Sequence, residues 1–199
     1  MRIEFALNHF LGPNATQAER VGALSAIDRT CRQINVIGGK YRRVRSCEII
    51  PTPRGRAFEV PFVFGPGDSD VENAQVLMAL QDCLTDIDVA YLTAHPDTIR
   101  LRDSHVRYGR TTLWLPIDAI IALGYADCKS LAAMDRAEFR MMGVECRPEF
   151  RWSPRTPRPG AMRDFHLLNR VEDLNEDPSA RHGMNTPLAV PETQLVPGV

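Results

Sequence analysis

Between Ser69 and His95 the chain carries its longest helical periodicity. Val71, Ala74, Leu77, Leu80, Leu84, Ile87 and Tyr91 recur at three- and four-residue steps. A capping box, Ser69-x-x-Glu72, can satisfy the free backbone donors at its start, and His95-Pro96 ends it. A helix this long and this apolar must be wrapped by other elements, so the pattern predicts a central helix.

The flanking segments supply the wrapping. A short strand is expected over 3–10, ended by Gly12-Pro13. A second capping box, Thr16-x-x-Glu19, opens a helix with Val21, Leu24, Ile27, Cys31 and Ile34 on one face, stopped by Gly38-Gly39. Segments 41–50 and 56–64 alternate around Pro51-Thr-Pro-Arg-Gly55 and predict a β-hairpin. Residues 97–109 read as polar and irregular. A short helix over 117–123 ends at Gly124, and a further helix runs over about 127–142 to Gly143. Strands are expected over 144–152 and 165–171, joined by a Pro-rich loop over 153–160. Helices and antiparallel strands in separate runs make this an α+β chain. It divides into a strand, helix and hairpin region (1–68), a core (69–184) and a Pro-rich tail (185–199).

Composition narrows the class further. With 44% hydrophobic and 25% charged residues the chain is that of an ordinary globular protein. A net charge of -1 gives no electrostatic reason to expect nucleic acid as a partner. Lys40, Arg42, Arg43 and Arg45 read as an exposed strand face, and Arg151, Arg155, Arg158 and Arg163 as solvated loop residues. No apolar run reaches transmembrane length, and the first residues lack the features of a signal peptide, so no membrane partner is expected. The five cysteines contain no C-x-x-C pair. That argues against a disulfide framework or zinc ribbon and for a reducing, cytoplasmic setting. No cofactor and no metal are implied; a site from Cys128, His166, Asp177 and His182 lacks a compact ligand pair.

The chemistry gathers in Gly124-Tyr-Ala-Asp127-Cys128-Lys-Ser-Leu-Ala-Ala133. Asp127 is a good N-cap, which places Cys128 at the first helical position. There the helix macrodipole is expected to make a thiol more acidic, and free N–H groups can meet a developing oxyanion. His166 lies between apolar residues on a predicted strand, and Asp177 sits in Glu176-Asp-Pro-Ser179. Cysteine, histidine and aspartate are the nucleophile, base and orienting carboxylate of a thiol enzyme. About 38 residues separate Cys128 from His166, and 11 separate His166 from Asp177. Tyr125 and Trp114 are candidate oxyanion or cleft residues by position.

The Asp127-Cys128 helix start, the strand histidine and the Asp177-Pro-Ser turn resemble the transglutaminase-like branch of the papain-like thiol enzymes. Glu176-Asp-Pro-Ser-Ala-Arg-His-Gly-Met184, Ala90-Tyr-Leu-Thr-Ala-His-Pro96 and Val106-Arg-Tyr108 look like a phage-encoded subgroup. The likeness covers about 77–184, with Ala126 where the family has glycine. It implies a nucleophile helix packed on an antiparallel sheet, with Cys128, His166 and Asp177 as the triad. The leading expectation is therefore a cysteine protease or amidase type of hydrolysis, or transglutaminase-type transfer, on a protein or peptide substrate. The alternative is a virion structural or assembly protein, using the fold to bind other virion proteins. The expected location is the cytoplasm, that of the host for a phage protein, or the virion.

Overall fold

The computed structural model describes residues 2–37, 48–52, 55–61, 70–152 and 165–185. Strand β1 (Arg2–Phe5) is shorter than expected, because a single helical turn, α1 (Asn8–Leu11), replaces the end of the predicted strand. The turn buries both Leu7 and Phe10 completely, which an alternating strand would not do. Helix α2 (Gln17–Ile37) starts with the expected capping box: Thr16 N–H donates to Glu19 Oε2 (2.7 Å) and Glu19 N–H to Thr16 Oγ1 (3.2 Å). Its buried face is rotated from the predicted one. Ala23, Ala26, Ile27, Thr30 and Ile34 are inside, whereas Val21 and Leu24 are 52% and 44% exposed. Close helix packing selects the small residues: a Cβ at Gly22 would lie 2.8 Å from the Cβ of Ala90.

Strands β2 (Glu48–Thr52) and β3 (Gly55–Pro61) pair antiparallel as the predicted hairpin, within the described residues. β3 also takes β1 on its other edge, giving the order β1-β3-β2. The rest of the predicted strands at 41–47 and 62–64, the Gly38-Gly39 stop, the basic positions 40–45 and the Ser69 cap lie outside the described residues.

Helix α3 (Asp70–Ala94) is central, packing along α2. Val76, Leu77, Leu80, Cys83, Leu84 and Ile87 are buried, and so are Gln81, Thr85 and Asp88. Each of these polar residues is tied through one atom: Gln81 Nε2 donates to Lys129 O (3.1 Å), Thr85 Oγ1 to Gln81 O (2.9 Å), and Ile117 N–H to Asp88 Oδ1 (2.9 Å), while Gln81 Oε1 and Asp88 Oδ2 are buried without a partner. Burial raises the Asp88 carboxyl well above its usual range, against the pull of the Ile117 N–H.

The stretch 97–109, read as irregular, contains a 3-10 turn (Leu101–Asp103) and strand β4 (Arg107–Tyr108). The strand is too short to show a period. Helix α4 (Ile117–Leu123) ends on Gly124 in the left-handed conformation (φ 72°), whose N–H closes on Ile120 O at 2.9 Å. Strand β5 (Tyr125–Ala126) runs parallel to β4, and helix α5 (Cys128–Met141) follows and packs on α3. Strands β6 (Cys146–Trp152), β7 (Phe165–Val171) and β8 (Leu174–Glu176) form an antiparallel sheet in that order, against which α5 lies. A last turn, α6 (Pro178–Arg181), follows β8. The arginines of the 153–164 loop and the 186–199 tail lie outside the described residues.

The architecture is α+β with small sheets. Residues of the first helices share one apolar cluster with α3, Trp114 and Ala133, while a second cluster joins Leu101, Tyr108, Leu115, Ile117, Ile120, Leu131 and Met134. Cys83, Cys128 and Cys146 are free thiols, and Cys31 is disulfide-bonded, a single bridge where the sequence argued against a framework of them. No described helix is long and apolar enough to cross a membrane.

Candidate active site

The site begins at a helix start. Asp127 is the N-cap of α5 and accepts the Ser130 N–H through Oδ1 at 3.4 Å, so Cys128 is the first helical residue, as the sequence predicts. Short strands hold this corner: Arg107 N–H donates to Gly124 O (3.0 Å), Gly109 N–H to Ala126 O (2.9 Å) and Tyr108 N–H to His182 O (2.7 Å). Lys129 is buried beneath, with its ammonium on the Asp127 carboxylate and on Thr111 O at 2.8 Å. Ser130 Oγ accepts the Leu115 N–H at 3.0 Å.

The other two residues of the predicted set meet directly. His166 Nε2 lies 2.9 Å from Asp177 Oδ2. The other carboxylate oxygen, Oδ1, accepts the Ala180 N–H of α6 at 3.1 Å, so Asp177 is both a helix cap and a histidine partner. With its Nε2 proton given to Asp177, a neutral imidazole presents its lone pair on Nδ1.

A further carboxylate links the three elements. Asp135 of α5 accepts Arg181 Nη2 of α6 (2.7 Å) on one oxygen and Asn169 Nδ2 of β7 (2.9 Å) on the other. Asn169 Nδ2 also donates to Ala132 O at 3.0 Å. These partners stand seven residues after Cys128, three after His166 and four after Asp177. The helix, the strand and the turn that carry Cys128, His166 and Asp177 are thus bonded to one another through a separate set of side chains.

Electrostatics at the thiol depart from expectation. Burial pushes Cys128 up to about 11, and the neighbouring Asp127 charge adds to the rise. The Leu167 and Lys129 backbone N–H groups and the Lys129 ammonium act in the opposite direction without prevailing. The helix start therefore fails to acidify the thiol, because its N-cap is an anion and the surroundings exclude water. Asp127 itself is raised by burial against the opposing pull of Lys129 and Ser130. Leu167, whose N–H faces the sulfur, adjoins His166, but among the described residues no hydrogen bond joins Cys128 to His166.

The auxiliary candidates fare differently. Trp114 is 3% exposed and packs its ring 5.5 Å from Phe5, while its backbone pairs with Glu4 and Ala6. It belongs to the core, since its flanking apolar residues carry it inward, and it is not a cleft residue. Tyr125 is buried on β5 beside Arg107, and burial raises its phenol. Tyr108 belongs to the apolar cluster against which Cys128 packs, and its phenol is pushed up to about 12 by burial first and then by Cys128 and Asp127. Single-residue inspection missed Tyr108, Asp135, Asn169 and Arg181. Asp135 and Asn169 carried a faint signal as polar residues on faces otherwise apolar.

His182, weighed in the sequence as a metal ligand, turns its Nδ1 to Val106 O at 2.7 Å. Among the described residues the group spaced to hold an ion lies elsewhere, at His9, Glu19 and His95. No family model, no curated protein and no solved structure matches the chain.

Proposed function

We propose that the protein is a thiol-dependent acyl-transfer enzyme with a transglutaminase-like core, acting by hydrolysis on a peptide or side-chain amide. The observation that carries the reading is the His166–Asp177 pair on a strand whose next residue faces the helix-start Cys128. A thiol at about 11 is protonated at neutral pH, so the mechanism is general-base assisted rather than a resting ion pair. In this reading His166 Nδ1 meets the sulfur in the substrate complex, since catalytic hydrogen bonds of this kind commonly tighten only with substrate bound.

Cys128 Sγ attacks the carbonyl carbon as His166 Nδ1 takes the thiol proton. Asp177 holds the imidazole and offsets its new charge. In this reading the oxyanion meets the Cys128 N–H at the first position of α5, the Ser130 N–H being taken by the Asp127 cap. Collapse breaks the C–N bond, and the imidazolium gives its proton to the leaving amine. Water, deprotonated by the same histidine, then cleaves the thioester and restores the thiol.

A peptidyl vinyl sulfone tests this. Wild-type protein is expected to be labelled at Cys128 ahead of Cys83 and Cys146, and His166→Ala to lose the labelling while keeping its circular dichroism. Equal labelling of the three thiols, or labelling indifferent to His166, would sink the proposal.

A second reading is favoured by the raised thiol and the missing Cys128–His166 hydrogen bond. In it the fold is a virion structural or assembly module in which the triad is silent. It rests on the phage-type resemblance. Particles assembled with Cys128→Ala in full copy number would support it, and loss of assembly with the mutant folded would return the case to chemistry.

A further inference from the structure

A second polar constellation lies at the C-terminal end of α3. His9 of α1, Glu19 of α2 and His95, the residue following α3, converge on one point. Glu19 Oε1 lies 2.7 Å from His9 Nε2 and 3.0 Å from His95 Nε2, and all three atoms lie within 4.8 Å of one another. Gln81, which touches the α5 start, and His95 are 14 positions apart. At 1.5 Å per residue that separates the two constellations by about 21 Å along the helix.

We propose that His9 Nε2, Glu19 Oε1 and His95 Nε2 form a mononuclear site for a divalent first-row transition ion of the zinc class. Two imidazoles and one carboxylate are a donor set that such ions take, with a further position left for water. Ligands about 2.1 Å from a tetrahedral ion stand about 3.4 Å from one another, so the Glu19–imidazole distances of 2.7 and 3.0 Å must open slightly to admit the ion. Glu19 is buried, and the ion takes the place of the two imidazole hydrogen bonds on its Oε1, each ring then keeping its proton on Nδ1.

The site is both built and reachable. The second oxygen of Glu19 is fixed by the Thr16 N–H at 2.7 Å, so the first is free to point at the histidines. Tyr91 packs against both rings, with centroids 5.3 Å from His9 and 4.4 Å from His95. The His95 side chain is 40% exposed and opens the fourth position to solvent. An independent observation points the same way. Asp118 Oδ1 is buried with no hydrogen-bond partner, and Asp118 lies within electrostatic reach of His9. A histidine bound to metal through Nε2 carries its proton on Nδ1, and an outer carboxylate is the usual acceptor for it.

The experiment uses the full chain, stripped with a chelator and then titrated with Zn2+, with Co2+ as a spectroscopic probe. The expected result is one ion per chain, a melting temperature that rises with Zn2+, and a Co2+ spectrum without thiolate charge-transfer bands. His95→Ala is expected to weaken binding about a hundredfold and Cys128→Ala to leave it unchanged. His95→Gln, checked by circular dichroism, replaces the alanine variant if that does not fold. No stoichiometric binding, thiolate bands, or binding indifferent to His95 would each overturn the proposal; the cluster would then be a hydrogen-bonded clamp only.

Discussion

Glu19 and Asp127 are both acids at the start of a helix, both buried, and both pair with a base, yet their charges are governed in opposite directions. Glu19 receives donors on both oxygens from the Thr16 backbone, His9 and His95, and falls to about 2 against the pull of burial. Asp127 has Lys129 and Ser130 and is still raised by burial. Cys128, next to it, has weaker donors and rises to about 11. The difference teaches that a helix N-terminus does not by itself decide ionisation. The number and quality of donors aimed at the charged atom do.

That contrast can be broken by substitution. Glu19→Ala should destabilise the protein by about 3–5 kcal/mol in urea denaturation, because it strands the donors that converge on a buried carboxylate. Asp127→Asn keeps the cap but removes the carboxylate from the buried Lys129 ammonium, so it should cost about 3 kcal/mol. A loss near 1 kcal/mol, about the value of a cap alone, would show that the ion pair at Asp127 contributes little beside the hydrogen bonds at Glu19.

Acid titration sharpens it next. Glu19 is lowered in the fold, so its stabilisation is present above the unfolded value of 4.5 and disappears as the pH falls through about 2. Glu138, which accepts the Leu101 N–H at 2.6 Å, goes the other way, being raised to about 7 chiefly by burial. Its proton is held by the folded state, so that contribution is present below 4.5 and is lost as the pH rises through about 7. Stability against pH in Glu19→Gln should flatten on the acid side, and in Glu138→Gln on the neutral side. Calorimetry across the range reads both.

The smallest effect concerns the thiol. Removing the anion beside it in Asp127→Asn should lower the Cys128 titration, followed by ultraviolet thiolate absorbance, since that charge is the second cause of its rise. An unmoved titration would leave burial as the whole cause. On the positioning network, Asp135→Asn should lower kcat about tenfold with KM little changed if the proposed reaction runs, because the bonds to Asn169 and Arg181 weaken without touching substrate.

The sequence made the helices legible wherever chemistry marked an end. The Thr16/Glu19 box, the Gly124 cap and the Asp127 N-cap stand where expected, since each depends on neighbours within a turn. The His166–Asp177 pair was legible too, from residue type and chain order. What was hidden depends on tertiary geometry. The α2 face turned because Gly22 lets Ala90 approach, and no local pattern announces that. His9 and His95 are 10 and 76 residues from Glu19, so no ligand spacing could be seen. The thiol's surroundings likewise exist only after Tyr108 and Leu167 arrive beside it.

The short strand at Arg107–Tyr108 has a consequence for biogenesis. It is bonded on one edge to the segment entering the cysteine helix and on the other to His182. The second bond spans 74 residues, and Asp177 arrives nearly as late. During synthesis Cys128 therefore emerges well before Asp177 and before the Tyr108–His182 bond that fixes its corner. Contacts of such separation cost more loop-closure entropy than local ones. Under the proposed reaction, a chain still on the ribosome would be idle, because the carboxylate that holds His166 has not yet been made.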